Sequence, residues 1–359
     1  MSLKHPYQTL NSLLSIIGMI VGVIFLLRIL TPSPDFKEVN ALDWSNAEES
    51  AKLFMEYYTS VKESADYSGE MLLTIGDKSY QDGTTSNLHP LGSISKPITA
   101  HIFNKFQQEE LLSNEDSVCK YIDSFCVGQL KSITLEYLIT HKSGLRRDKI
   151  GLIPNLLELL FGIDVQYSEI VNSINEKDLI SEPGEKFNYS NLGFETLSII
   201  LQKVSMPFFE KVIAELSAQE IFRVEDVDSP NYIEPKLAIP LFSHKYTLKP
   251  SFSYILPLLD RKYLGAGGAV ASVSSLTSWM KAQDFSKNPA WAKLEDVHGN
   301  EVYWHNGSYV GVSSFSLAIP SLDIYFAVIG DTSFTPITKK LLNSNLINIF
   351  SGKNYQTIK

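Results

Sequence analysis

Apolar positions recur at helical spacing in several stretches of this chain and at a spacing of two in others. From Trp44 to Lys62, Ala47, Ala51, Leu53, Phe54, Tyr57 and Tyr58 define an amphipathic helix. Glu70 to Asp82 holds a β run, MLLTI, then Gly76-Asp77 as a hairpin turn, then KSY. Leu91 to Phe106 returns to helical spacing, with Ile98, Ile102, Phe103 and Phe106 on one stripe. Helices are expected over Ile133–His141, Asn191–Val204, Phe208–Leu216 and Val273–Ala282. The stretch Asp226–Leu256, interrupted by Pro230, Pro235, Pro240 and Pro250, reads as an irregular excursion that walls a pocket. Strand runs follow at Val302–Trp304, Val310–Ile319 and Ile324–Ile329, with turns expected at Asn306-Gly307 and Pro320-Ser321, and a last helix over Pro336–Phe350.

Strands therefore fall near both chain ends, with a helical block between them. This order predicts an α+β domain, an α/β sandwich: one antiparallel β-sheet flanked by helices, with the middle of the chain inserted as an all-helical lobe. The expected division is a membrane anchor over 1–30, a linker over 31–43, the domain over 44–352 and a tail over 353–359. Within the domain, 44–108 and 262–352 form the α/β lobe and 109–261 the helical lobe. A pocket is expected between the lobes.

The anchor rests on one pattern. No Asp, Glu, Lys or Arg lies between Lys4 and Arg28, and Leu13 to Leu27 is almost wholly apolar. Tyr7 to Leu27 supplies the ~20 residues that a transmembrane helix needs. RILTPSPDF follows rather than a small-x-small cleavage site, which favours a retained N-terminal transmembrane helix over a cleaved signal. The chain is expected to be a single-pass membrane protein with its domain in the bacterial periplasm or on the cell surface. The net charge of -9 and the lack of a basic stripe argue against nucleic acid as a partner. Cys119 and Cys126 form a disulfide in such a compartment or remain two thiols; the sequence leaves both open. No His/Cys/Asp cluster has metal-ligand spacing, so neither metal nor cofactor is expected.

Ser-x-x-Lys occurs at Ser93, Ser117 and Ser278. Only Ser93 combines a preceding strand-like segment, a Gly and a helix start, with Lys96 one turn on and on the same face. A hydroxyl beside an amine at a helix N-terminus suits a nucleophile and its base, or a plain N-cap. Tyr189-Ser190-Asn191 is the only Tyr-x-Asn, and His305-Asn306-Gly307 the only His-x-Gly. Each lies at an element boundary.

In this order the three motifs resemble the boxes of the serine β-lactamase and penicillin-binding-protein family. The Tyr form of the second box looks like the branch of class C β-lactamases, D-alanyl-D-alanine carboxypeptidases and esterases. LGSISKPITA, ITLEYLITHKSGL, PGEKFNYSNLGFETLSIIL and GAGGAVASVSSLTSW look like that family's text too, so the similarity runs from about Trp44 to Phe350. The resemblance implies a β-lactamase/transpeptidase-like fold and a serine hydrolase acting through an acyl-enzyme on a small-molecule or peptide substrate. Ser93 would be acylated, Lys96 its base partner, and Tyr189 the proton relay. Asn191 would bind Lys96 and the substrate amide. His305, Gly307 and Ser308 would bind substrate, with the N–H groups of Ser93 and Ser308 forming the oxyanion hole. Lys142-Ser143-Gly144 also fits a third box but precedes Tyr189, so the box is placed at His305. Families with Lys at that box hold a permanent cation there; His305, if unperturbed, would be half-charged only near pH ~6.5. This favours an esterase or peptidase over a dedicated β-lactamase. A D-alanyl-D-alanine carboxypeptidase and a non-catalytic wall-binding or regulatory homologue are the rivals. Two glycosylation-type triplets, Asn188-Tyr189-Ser190 and Asn306-Gly307-Ser308, overlap the motifs and favour a bacterial setting.

Overall fold

The computed structural model describes residues 40–65, 68–149, 167–223, 226–227, 229–232, 265–309, 312–331 and 345–353. In chain order it contains helix α1 (Ala47–Ala65), strands β1 (Ser68–Ile75), β2 (Lys78–Asp82) and β3 (His89–Pro90), and helices α2 (Ser95–Gln108), α3 (Leu135–Ile139) and α4 (Tyr167–Asn172). Helices α5 (Asn191–Val204) and α6 (Met206–Ser217) follow, then β4 (Phe222–Arg223), β5 (Ala269–Ala271) and α7 (Val273–Lys281). The chain ends in β6 (Ala292–Glu295), β7 (Glu301–Tyr309), β8 (Val312–Ile319), β9 (Ile324–Asp331) and a helix α8 over 345–351.

A six-stranded sheet runs in the order β2-β1-β9-β8-β7-β6, and every pairing in it is antiparallel. Within it β1 pairs with β9, so strands from early and late in the chain meet there. Alternation along β9 sorts side chains to two cores, as a period of two requires. Ile324, Phe326 and Val328 pack with Trp44, Phe54 and Phe350 on one face. Tyr325, Ala327 and Ile329 join the core that continues through α7 into α2 and α5 on the other. The first face is sealed by the chain ends: Trp44 stacks on Phe350 with ring centroids 4.6 Å apart, and its indole N–H donates to the Ile349 carbonyl at 3.1 Å. A second, three-stranded sheet, β3-β5-β4, holds the residues just before the Ser93 helix against those just after Gly265.

Most expected elements form, with shifted ends. Three differences matter for the site. The turn expected at Asn306-Gly307 is not a turn: both residues lie inside β7, registered against Phe315 and Ser314 of β8. The strand runs on because Gly307 serves a close approach to Leu91 rather than a reversal; a Cβ there would meet the Leu91 carbonyl oxygen at 1.9 Å. Ile133–His141 shrinks to α3, since Thr134 caps the Tyr137 N–H and His141 already takes a positive φ of 58°. The short strands β3, β4 and β5 went unforeseen because two or three residues show no periodicity. Cys119 and Cys126 are joined in a disulfide. The anchor at 1–30, most of Asp226–Leu256 and the start of the last helix lie outside the described residues. Among those described, no helix is long and apolar enough to cross a membrane.

Candidate active site

Ser93 sits in a single 3-10 turn, Gly92–Ile94, that leads directly into α2. The turn is held by its neighbours. Gly92 has a φ of 54°, open to glycine at little cost. A Cβ there would stand 2.8 Å from the Ser308 backbone nitrogen, so the Ser93 turn and the end of β7 touch backbone to backbone. The Ser314 hydroxyl donates to the Leu91 carbonyl at 2.7 Å, and Ser95 Oγ donates to the Gly92 carbonyl at 2.7 Å while accepting the Ala269 N–H at 2.9 Å. The N-cap positions of the turn and of α2 are Leu91 and Ile94, so the N-cap alternative for Ser93 falls away.

Two groups converge on Ser93 Oγ. Lys96 Nζ donates to it at 3.2 Å, and the Tyr189 hydroxyl donates at 2.8 Å. Lys96 has no exposed surface; its ammonium also donates to the Ala266 carbonyl at 2.9 Å and lies 4.9 Å from the Tyr189 ring centroid. Burial pushes its pKa from 10.5 down to about 7, against the opposing pull of Glu195 and Asp148. A neutral amine is thus accessible near neutral pH. Burial moves the Tyr189 phenol the other way, upward, despite its bond to Ser93. Tyr189 is therefore held as the protonated phenol, whereas Lys96 can lose its proton near neutrality.

Tyr189 is aimed by its surroundings. Ser190 caps α5 by accepting the Gly193 N–H at 2.9 Å and anchors to the Arg146 carbonyl at 2.8 Å. His141 stacks on the Tyr189 ring with centroids 4.5 Å apart, and its Nδ1 accepts the Ser190 N–H at 3.0 Å. Burial, then the charge of Lys96, hold its pKa near 3, so His141 is a neutral wedge.

Two expected site residues differ in place or state. Asn191 does not bond Lys96: the loop after α3 packs across the start of α5 so that its amide N–H donates to Asp148 Oδ1 at 2.9 Å, while Lys96 Nζ donates to Ser93 Oγ and the Ala266 carbonyl instead. Asn191 Oδ1 is buried and has no hydrogen-bond partner among the described residues. His305 is only 6% exposed, with Nδ1 on the Asn306 carbonyl at 2.8 Å. Burial, then the charge of Lys96, depress its pKa to about 3. The half-charged imidazole expected near pH 6.5 is thus a neutral, buried one. Gly307 packs on Leu91, and Ser308 is exposed beside the Ser93 turn.

The motifs did not single out His141, Asp148 or Glu195. A signal existed for the last: Glu195 follows Asn191 by one helical turn and interrupts an otherwise apolar face of α5. No group of three or more metal-ligating side chains occurs among the described residues.

An antiparallel sheet backed by helices, carrying a serine-lysine turn with a tyrosine hydroxyl on the serine oxygen, has the architecture of serine acyl-transfer enzymes. The family model described as Beta-lactamase matches residues 76–315. The chain belongs to the Beta-lactamase family, whose fold is shared by serine hydrolases including D-alanine carboxypeptidases and amidohydrolases. Among curated relatives, Protein flp of Staphylococcus aureus is 23% identical over 317 residues, covering 79% of this chain. The chain spans 60% of the length of that relative. The octameric penicillin-binding protein homologue from Pyrococcus abyssi superposes with a TM-score of 0.65 at 19% identity, covering 86% of this chain and 80% of the other. A D-stereospecific amidohydrolase from Streptomyces sp. gives 0.58 at 17% identity, covering 79% and 95%.

Proposed function

We propose that this chain is a membrane-anchored serine hydrolase that cleaves an ester or amide through an acyl-enzyme on Ser93. The observation that carries the reading is the pair of bonds on Ser93 Oγ, from Lys96 at 3.2 Å and Tyr189 at 2.8 Å. In the first half-reaction Ser93 Oγ attacks the carbonyl carbon and its proton passes to neutral Lys96. The C–O or C–N bond to the leaving group then breaks, and Tyr189 hands that group a proton replaced from Lys96. Water attacks the acyl-Ser93 carbonyl in the second half, giving its proton back through the same pair to Ser93 Oγ. The backbone N–H groups of Ser93 and Ser308 stabilise the oxyanion; loss of one such donor typically costs ~3 kcal/mol. Asn191 Oδ1, buried and without a partner among the described residues, is suited to accept a substrate amide N–H.

Neutral His305 removes the cation that would recognise a substrate carboxylate at the third box, which favours an esterase or amidase over a carboxypeptidase. Arg147, 5.5 Å from the Tyr189 ring centroid, keeps the carboxypeptidase reading alive as the rival. The full chain treated with a serine-directed phosphonate should gain the mass of one adduct, and Ser93→Ala should gain none. A stable penicillin adduct would shift the assignment to the carboxypeptidase. If neither reagent adds mass to folded protein, Ser93 is not an activated nucleophile and the non-catalytic rival stands.

The apolar run Leu13–Leu27 supports a single-pass anchor, and the Cys119–Cys126 disulfide supports an oxidising, extracytoplasmic setting for the domain. Protease added outside intact spheroplasts should degrade the domain while a cytoplasmic marker survives; protection of the domain would overturn the orientation.

A further inference from the structure

The acyl-transfer scheme uses Lys96 as base but leaves unexplained a second buried ionisable group. Glu195 is 2% exposed, inside α5, one turn beyond Asn191. A carboxyl so placed is costly unless something in the fold needs it. Its contacts show what it holds. Glu195 Oε1 accepts the Ala266 N–H at 2.9 Å, and the carbonyl of that same residue accepts Lys96 Nζ at 2.9 Å. The peptide segment Gly265-Ala266 is thus gripped from two helices: by Glu195 of α5, and by Lys96 and Thr99 of α2, the Thr99 hydroxyl donating to the Gly265 carbonyl at 2.9 Å. Gly265 permits the approach, since a Cβ on it would stand 2.3 Å from the Phe194 carbonyl oxygen.

We infer that Glu195 is a positioning residue for the base: it fixes the Gly265-Ala266 peptide that orients Lys96 Nζ, and its carboxyl sets the pH at which Lys96 gives up its proton. The inference rests on the acyl-Ser93 reading for its consequence in catalysis, and on geometry alone for the pairing. The two side chains lie in one water-poor region, so their charges act on each other with little screening. The other groups facing the pair are Asp148 and Arg147 from the loop after α3, Tyr189 at the start of α5, His141 beyond Tyr189, and His305 on β7. Asp148 adds to the pull of Glu195 on the Lys96 proton and Arg147 opposes it; both histidines are neutral above pH 5. Burial raises the Glu195 carboxyl, against the Ala266 N–H and Lys96, to about 8. Around neutrality the pair can therefore pass between an ion pair and a neutral acid beside a neutral amine without taking up or losing a proton. Ionised Glu195 favours protonated Lys96; the protonated acid releases Lys96 as the free base.

The test is the pH dependence of Ser93 phosphonylation in the full chain, from pH 5 to 9.5. Glu195→Gln keeps an oxygen to accept the Ala266 N–H but never carries charge. Its acid limb should move to lower pH, because the ionised fraction of Glu195 that holds the proton on Lys96 in the parent is gone. Thr99→Val loosens the same peptide without touching charge and should leave the midpoint where it is in the parent. An unmoved midpoint in Glu195→Gln, or an equal shift in Thr99→Val, overturns the inference. A second measurement needs neither acylation nor a folded Glu195 variant. With carboxyl-13C glutamate in the parent chain, one glutamate should titrate above pH 6, and its midpoint should rise further in Lys96→Met. No glutamate titrating there, or one indifferent to Lys96→Met, overturns the pairing even if phosphonylation proceeds. A parent chain that resists phosphonate but shows the coupled glutamate would sink the hydrolase reading and leave the pair intact.

Discussion

A primary amine without exposed surface is a group that most folds exclude, and in the proposed mechanism the burial of Lys96 is what lets it act as a base. Its pKa is depressed, so the folded state binds Lys96's proton more weakly than the unfolded chain does. The resulting penalty is complete below about pH 7 and fades as pH rises toward 10.5. Lys96→Met deletes the amine and fills much of its volume. Two hydrogen bonds go, at about 1 kcal/mol each, but at pH 6 the lost penalty is larger. The variant should therefore unfold at a higher temperature than the parent at pH 6. That advantage should vanish by about pH 9, where most of the Lys96 penalty has faded and the two lost hydrogen bonds remain. Acylation of Ser93 should fall by roughly 10²–10⁴-fold at the same time. Thermal melts at both pH values and phosphonate labelling check this; undiminished labelling would remove Lys96 from the mechanism. At this scale the sequence was informative where chemistry is local. Ser93 and Lys96 are one turn apart, and Tyr189 stands beside a helix cap. Glu195 and Ala266 were not legible, because their bond joins residues 71 apart and one partner is a backbone N–H.

Elements followed their apolar periodicity and were misread where a residue served a tertiary contact. Helix α5 occupies the span its pattern predicts, Asn191–Val204, since Ser190 caps it and Ser205 ends it. The Asn306-Gly307 dipeptide suits a hairpin turn, and its local pattern predicts a reversal. In the fold, Gly307 instead lets β7 press on Leu91, and this brings the Ser308 N–H to the Ser93 turn. His305 shows the same limit. Its residue type suggested a cation titrating near neutrality, whereas its burial on β7 beside Trp291 leaves it uncharged. Burial of one side chain on a sheet depends on what packs over it, and no local pattern encodes that.

Across the whole molecule, strands from both chain ends make one sheet, and the helices between them bring α2, α5 and β7 to a common point. That convergence buries two imidazoles, His141 and His305, next to a lysine, and the cost is written into the pH dependence of folding. Both native pKa values are lowered to about 3 from 6.5, so between those limits the unfolded chain takes up two protons that the native chain refuses. Glu195 works oppositely from 4.5 to about 8, where the native state keeps a proton that the unfolded chain releases. From pH 5 to about 6 the histidines outweigh it, approaching balance by pH 6.5, and Lys96 stays mostly protonated in both states. Stability should therefore rise with pH across this window, by up to about 1.4 kcal/mol per pH unit for each net proton. Urea unfolding at pH 5.0, 5.75 and 6.5 measures the slope. His141→Asn, whose Oδ1 can accept the Ser190 N–H, removes one of the two imidazoles and should flatten it. A parent whose stability falls across this window would mean that the imidazoles are protonated in the native state. It would also mean that Lys96 stands among cations, and the neutral-amine base would lose its electrostatic setting.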